Sequence, residues 1–124
     1  MAKGDSRYTK PGSRRRLLPQ EKALLRAMLA NQYPNLDFVL DTSEVDEMLD
    51  GGMGSIRFVD KNTHERHLGK VLREAEFLDT DGILVSIGIN SDQRGRLFEV
   101  DFWKVDFSPL RKYPSVADLT MLGD

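Results

Sequence analysis

The chain has 124 residues, no cysteine and a formal net charge of −2 at pH 7. A chain of this length folds as one domain and buries enough surface to need no covalent or metal cross-link. The absence of cysteine excludes disulfides, cysteine-ligated zinc, iron–sulfur clusters and thiol catalysis, and it fits a reducing cytoplasm. No apolar run approaches the roughly 20 residues that a membrane-spanning helix needs, so we expect a cytoplasmic protein without membrane contact.

Charge is unevenly distributed along the chain. Residues 1–26 hold eight basic and two acidic side chains, whereas the remainder holds ten basic and eighteen acidic ones. Residues 1–16 are mostly small or basic, and we predict that they form a disordered basic tail in front of a single domain at residues 17–124. The two oppositely charged parts either attract each other or serve different partners.

The first predicted element is a helix that begins at Pro19 and ends near Asn31. Proline suits the first helical turn because its missing N–H would have no partner there. Pro34 cannot continue the helix. Apolar residues follow Pro19 at helical spacing, namely Leu24, Leu25, Met28 and Leu29.

Residues 35–50 are the most acidic part of the chain, with six acidic side chains and no basic one. The alternation of Leu36, Phe38 and Leu40 with acidic residues indicates a short strand. Val45 and Met48 fit either a strand or a helical turn. A tight turn at residues 51–54 ends the segment, since three of its four residues are glycine.

Further alternation predicts strands at residues 55–59 and 70–77, followed by a hairpin whose two strands flank a polar loop at residues 90–95. An in-phase pairing places apolar side chains opposite one another on one face. The predicted register is Ile87 with Phe98, Val85 with Val100, and Ile83 with Phe102. The chain is therefore predicted to be α+β, with an N-terminal helix packed on a mostly antiparallel sheet of four or five strands.

The same alternation places Glu99, Asp101 and Trp103 on the face opposite the apolar row. Paired carboxylates on a strand either lie on a solvated surface or take part in acid–base chemistry. Trp103 is either covered by the C-terminal segment or exposed among acids, and the second arrangement is typical of a binding hot spot.

Three other motifs favour structural over chemical roles. His64 and His67 have the spacing of two metal ligands on a helix, but a polar connection is the favoured interpretation. The glycine turn at residues 51–54 lacks the helix and lysine of a phosphate loop. Residues 79–82 resemble a calcium loop but lack its later glutamate. We therefore predict no metal, no cofactor and no catalytic residue.

Two segments carry a resemblance to a known family: Gly51 to Phe58 (GGMGSIRF) and Leu97 to Leu110 (LFEVDFWKVDFSPL). From about Arg15 to Pro114 the chain resembles a small bacterial domain family without an established activity. The resemblance implies a bacterial, cytosolic, stand-alone domain, and it assigns no catalytic or binding residue.

The favoured hypothesis is a non-enzymatic protein-binding domain. Its acidic surface would be built from residues 37–50, with Asp46 and Glu47, and from the face with Glu99, Asp101 and Trp103, and it would dock a basic protein partner. Immunity-type inhibitors of bacterial toxins are one class with this composition. The alternatives are a small enzyme or ligand binder that uses Glu99 and Asp101, and a less favoured association of nucleic acid with the basic tail. The sequence does not set the oligomeric state.

Overall fold

The computed structural model describes residues 8–60 and 65–123. Within them lie two α-helices, α1 (Pro19–Leu29) and α2 (Leu36–Thr42), and one seven-stranded sheet. A short 3-10 turn at Val116–Asp118 precedes the last strand. The strands in chain order are β1 (Arg15–Arg16), β2 (Glu44–Glu47), β3 (Ile56–Phe58), β4 (Leu68–Leu78), β5 (Leu84–Asp92), β6 (Leu97–Lys104) and β7 (Thr120–Leu122).

The sheet has the strand order β1-β2-β3-β6-β5-β4-β7, and neighbouring strands are antiparallel. The α+β class and the antiparallel sheet are confirmed, but the expected four or five strands are too few. Strands β1, β2 and β7 have only two to four residues each. The residues of β1 and β7 show no alternation of apolar and polar side chains, and β2 lies in the segment whose pattern fits either a strand or a helical turn.

The segment before α1 is part of the sheet. Thr9 forms a β-bridge with Met48, and β1 pairs with β2. The prediction of a disordered tail is therefore wrong for residues 8–16, because this basic segment pairs with the acidic segment at residues 44–48. Residues 1–7, the rest of the predicted tail, lie outside the described residues.

Helix α1 matches its prediction, whereas the strand predicted around Leu36 is wrong. That segment forms α2, which begins after Asn35. Leu40 is buried, and Leu36 and Val39 are partly buried against the core, while Phe38 is 70% exposed. Spacings of three and four residues, not two, therefore select the buried side chains, and the helical period overrides the apparent alternation.

The predicted β5–β6 hairpin forms, but its register is shifted. Ile87 faces Phe102 in place of Phe98, and Ile89 faces Val100. The shift is by an even number of residues, so the side chains from Glu99 to Trp103 stay on the expected faces. The apolar row on the helix side is consequently buried: Val85, Ile87, Ile89, Val100 and Phe102.

The turn of this hairpin explains the register. Asp92, which the sequence places in a polar loop, is buried at the end of β5. Its carboxylate accepts the N–H groups of Arg94 and Arg96 at 2.9 and 3.0 Å and pairs with the Arg66 guanidinium at 2.9 Å. The Asp92 N–H donates to the Arg96 carbonyl oxygen at 2.8 Å, and Gly95, with φ of 84°, ends the three-residue loop at residues 93–95 that this bond closes. The carboxylate is thus satisfied internally, and the strand extends further than its polar residues suggest.

A bulge in β6 removes Phe98 from the apolar row. Asn90 pairs with Glu99 while Ser91 pairs with Leu97, so Phe98 is the extra residue. Leu97 joins the hydrophobic core, which does not include Phe98. The ring of Phe98 instead lies 5.2 and 4.9 Å from the guanidinium carbons of Arg57 and Arg66. Such cation–π contacts hold two arginines at one ring.

Gly69 of β4 lies where the backbone of β5 passes closely. A Cβ atom at Gly69 would overlap the carbonyl oxygen of Asp92. We expect Gly69→Ala to lower the free energy of unfolding by about 1–3 kcal/mol, because backbone on both sides must move apart. Urea unfolding monitored by circular dichroism measures the effect. Gly88→Ala, in the open middle of β5, is the matched control, and an equal loss in both variants would contradict this explanation.

Candidate functional site

The face of the sheet away from the helices carries an open groove of about 430 Å³. It runs over β5 between β4 and β6, and we call it the β5 groove. Its floor contains Ser86 and Gly88, and its walls include Val71, Glu74, Asp101 and Trp103. Because successive side chains of a strand point to opposite faces, the buried apolar row of β5 alternates with this small-residue floor.

The strand register places the residues that line the β5 groove in rows across the sheet. Glu74, Gly88 and Asp101 lie in one row, and Ser86 pairs with Glu76 on one side and Trp103 on the other. A glycine and a serine in the central strand are flanked by larger side chains on both neighbours. The groove therefore follows directly from the residue sizes in three adjacent strands.

Trp103 is 49% exposed on this face. Its ring packs edge-on against Phe107, with ring centroids 5.1 Å apart. Phe107, which is itself exposed, thus covers Trp103 only in part, and half of the Trp103 side chain stays accessible. Trp103 lies opposite Ser86, not Gly82 as the predicted register required.

A second depression, of about 250 Å³, lies on the other side of Trp103. Its lining is mostly apolar and includes Met48, Leu49 and Met53. Asp101 and Trp103 line both depressions. They consequently form a ridge between two concave surfaces, a shape that presents an aromatic ring and a carboxylate together.

Glu99 shares the strand but is not accessible. Its side chain is 0% exposed, and the Arg57 guanidinium donates to its Oε2 at 2.6 and 3.1 Å. Among the described residues, Glu99 Oε1 has no hydrogen-bond partner. Glu99 therefore joins β6 to β3 inside the protein, and the predicted grouping of Glu99 with Asp101 and Trp103 on one accessible surface does not form.

Asp46 and Glu47 are both engaged by the N-terminal segment. Arg14 pairs with Asp46 at 3.1 Å, and Arg15 pairs with Glu47 at 3.1 Å and with Glu21 at 2.8 Å. Much of the negative charge predicted to attract a partner is thus neutralised within the chain. A role of Asp46 and Glu47 in binding stays a prediction.

The basic cluster at residues 14–16 has the corresponding contacts. The Arg16 guanidinium donates to the Asp41 carbonyl oxygen at 2.7 Å. The hydrogen bond to Glu21 raises the pKa of Arg15, despite the opposing effect of its partial burial. These arginines donate to groups within the chain, so fewer of their N–H groups are available to the phosphates of a nucleic acid.

Residues 79–82, the calcium-like motif, instead hold an ion cluster. Lys104 Nζ donates to Asp79 at 2.9 Å, to Asp81 at 2.6 Å and to the Pro109 carbonyl oxygen at 3.2 Å. Asp79 also accepts the N–H groups of Arg111 and Lys112 at 2.8 and 3.1 Å. Lys104 and Asp79 are fully buried. The cluster therefore attaches the C-terminal segment to the β4–β5 turn.

The glycine turn at residues 51–54 has a structural role. Asp50 accepts the N–H groups of Met53 and Ser55 at 3.1 and 2.8 Å, and the Gly52 carbonyl oxygen accepts the Leu110 N–H at 3.1 Å. A Cβ atom on Gly52 would contact the Pro109 side chain. Both segments that carry the family resemblance therefore pack on each other.

Other site classes find little support in the described part of the chain. Its histidine, cysteine and carboxylate side chains form no group of three or more that could hold a metal ion. Of the two candidate histidines, His64 lies outside the described residues. Five depressions along the described residues have a defined lining, and none of these five combines two of Glu99, Asp101 and His67. No helix in residues 8–60 or 65–123 is long and apolar enough to cross a membrane.

Residues 14–114 match a family described as a domain of unknown function, DUF6984, and the protein belongs to that family. Comparison with curated proteins and with solved structures gives no match. The predicted resemblance to a family without an established activity is thereby confirmed. The bacterial origin stays a prediction.

Two residues that line the β5 groove, Glu74 and Gly88, are not among the predicted site residues. Gly88 interrupts a run of large apolar and polar residues in a strand, and an isolated glycine in such a run often marks the close approach of another group. That signal was present. Glu74 was not identifiable, because its position beside Gly88 depends on the β4–β5 register.

Proposed function

We propose that the protein is a binding domain that docks a basic protein partner on the face that carries the β5 groove. The observation that carries this proposal is the half-exposed Trp103 beside Asp101, on a ridge between two depressions. Large aromatic side chains in such positions supply much of the free energy of protein–protein association. The nearby acids Glu74 and Glu76 favour a partner of positive charge.

The proposed surface is narrower than the one expected from the sequence. Glu99 is buried, and Asp46 and Glu47 are paired with arginines, so the surface consists mainly of side chains from β4, β5 and β6. Immunity-type inhibition of a basic bacterial toxin in the cytoplasm is the form of this function that suits a small domain with an acidic body. Charge complementarity would then speed association, and the apolar depressions would slow dissociation.

Substitution of Trp103 tests the proposal. An affinity-tagged protein first recovers a candidate partner from the source cells at low salt, and binding of the purified partner is then measured by calorimetry. We expect Trp103→Ala to weaken binding by about tenfold to a hundredfold, as for a hot-spot aromatic. Phe38→Ala is the matched control, because Phe38 is also an exposed aromatic residue but lies on α2.

The outcome separates the docking face from the rest of the surface. Failure to recover any basic partner, or a partner whose affinity is equal for Trp103→Ala and the unmodified protein, would contradict the proposal. Thermal unfolding of each variant shows whether a loss of binding comes from a loss of structure. Asp101→Asn provides a second measurement, with a smaller expected loss that disappears at high salt.

A further inference from the structure

Gly88 lies in the middle of β5, where the chain itself gives no reason for glycine. Its φ angle is not in the positive range, and a Cβ atom built on it meets no atom within 4 Å. Gly69 in the neighbouring strand differs, because its Cβ would overlap Asp92. Glycine in a strand interior weakens the strand and often marks the close approach of another group. The space above Gly88 therefore requires an explanation from outside the chain.

The surroundings of this space define its chemistry. Glu74 and Asp101 are the cross-strand neighbours of Gly88 on either side. Adjacent strands lie about 4.8 Å apart, so the backbones that carry the two carboxylates are about 10 Å apart across the glycine. Trp103 lines the same groove next to Asp101, and Val71 and Leu122 add apolar surface. Two carboxylates, one aromatic ring and an open floor thus surround a single position.

We propose that this position receives an arginine side chain of the basic partner. The inference rests on the proposed docking function and names the group that the groove recognises. A guanidinium is planar, stacks on aromatic rings and donates to carboxylates on two sides, whereas an ammonium acts as a compact point charge. The apolar wall suits the aliphatic stem of the arginine, and Trp103 supplies a cation–π contact.

The proposal makes Gly88→Val a variant that gains stability and loses binding. The valine side chain enters open space and favours a strand, so the melting temperature is expected to rise by about 2–5 °C. The same side chain fills the arginine position. The full-length protein, labelled with nitrogen-15, is titrated with N-acetylarginine amide and observed by NMR. We expect shifts of the amide signals of residues 86–88 and 101 and of the Trp103 indole signal.

The controls isolate charge and position. The citrulline analogue of the probe has the same shape without the charge and is expected to give at least fivefold smaller shifts. Gly88→Val and Glu74→Gln should reduce the shifts by a similar factor. Asp37→Asn, which removes an exposed carboxylate from α2, should leave them unchanged. The lysine analogue is expected to give smaller shifts than the arginine probe.

Several results would overturn the inference. These are equal shifts with the citrulline probe, unchanged shifts in Gly88→Val, or a lower melting temperature for Gly88→Val, which would reveal a packing role for the glycine. Failure of the two proposals is distinguishable. If a purified partner depends on Trp103 but binds Gly88→Val equally well, the arginine position is wrong while the docking face stands. If the probe binds over Gly88 but the partner ignores both substitutions, the docking function fails.

Discussion

Arg57→Met is expected to destabilise the protein by about 3–5 kcal/mol, because it leaves the fully buried Glu99 without its counter-ion. The Glu99 side chain has no access to water, and a lone buried carboxylate is strongly disfavoured. Equilibrium unfolding in urea, followed by circular dichroism, measures the loss. Arg14→Met is the control, since the Arg14–Asp46 pair is exposed and is worth about 1 kcal/mol or less.

The double variant Arg57→Met/Glu99→Met gives the sharper result. Apolar pairs of similar volume often replace buried ion pairs without loss, and Glu99 Oε1 lacks a hydrogen-bond partner among the described residues. We therefore expect the double variant to recover most of the stability that the single variant loses. The loss of the Arg57 contact with Phe98 is common to both variants. A cost below about 1 kcal/mol for the single variant would contradict the role of Arg57 as the partner that Glu99 requires.

The second large effect is expected at the cluster of Lys104, Asp79 and Asp81. Lys104→Met leaves the buried Asp79 without its ammonium partner, while Asp81 keeps the exposed Arg111 guanidinium at 3.4 Å. The melting temperature is expected to fall by on the order of 10 °C. Because Asp79 also binds the backbone of residues 111 and 112, the C-terminal segment should detach first. A larger acceleration of amide hydrogen exchange at residues 110–113 than in β5, each relative to the unmodified protein, would show this, and an equal acceleration would contradict it.

The same cluster predicts the response to acid. Burial raises the pKa of Asp79, but hydrogen bonds from the Arg111 N–H and the Lys104 ammonium outweigh burial and lower the pKa to about 2. A carboxylate whose pKa is lower when folded stabilises the protein above its unfolded pKa of 3.8. Stability should therefore fall as the pH drops from about 4 to about 2. In Asp79→Asn this part of the decline should become shallower, whereas Asp37→Asn should retain it.

Local patterns of apolar and polar residues were sufficient to predict much of the fold. The helix at Pro19 and the strands β3 to β6 follow from spacing alone, because each buries one face with the appropriate period. The sorting of Asp101 and Trp103 away from the core follows for the same reason. An even shift in register cannot change it.

The features that the sequence did not predict depend on contacts between residues far apart in the chain. The β5–β6 register depends on Asp92, which is satisfied by Arg66, 26 residues earlier in the chain. Glu99 is buried because Arg57 approaches it from 42 residues away. Neither partner can be identified from the spacing of nearby side chains. The exposure of Trp103 likewise depends on where the segment after Phe107 leads, which no periodicity records.

The terminal strands β1 and β7 limit the pairing of the sheet edges with other chains. They form its two edges and have only two and three residues, too few to template further strand pairing. The family match ends at residue 114, before β7. A fragment cut there would uncover the backbone groups of Glu74, Ala75 and Glu76, the three residues of the eleven-residue β4 that pair with β7. Strand β7 thus covers the middle of the β4 edge, which would otherwise be open to pairing with another chain.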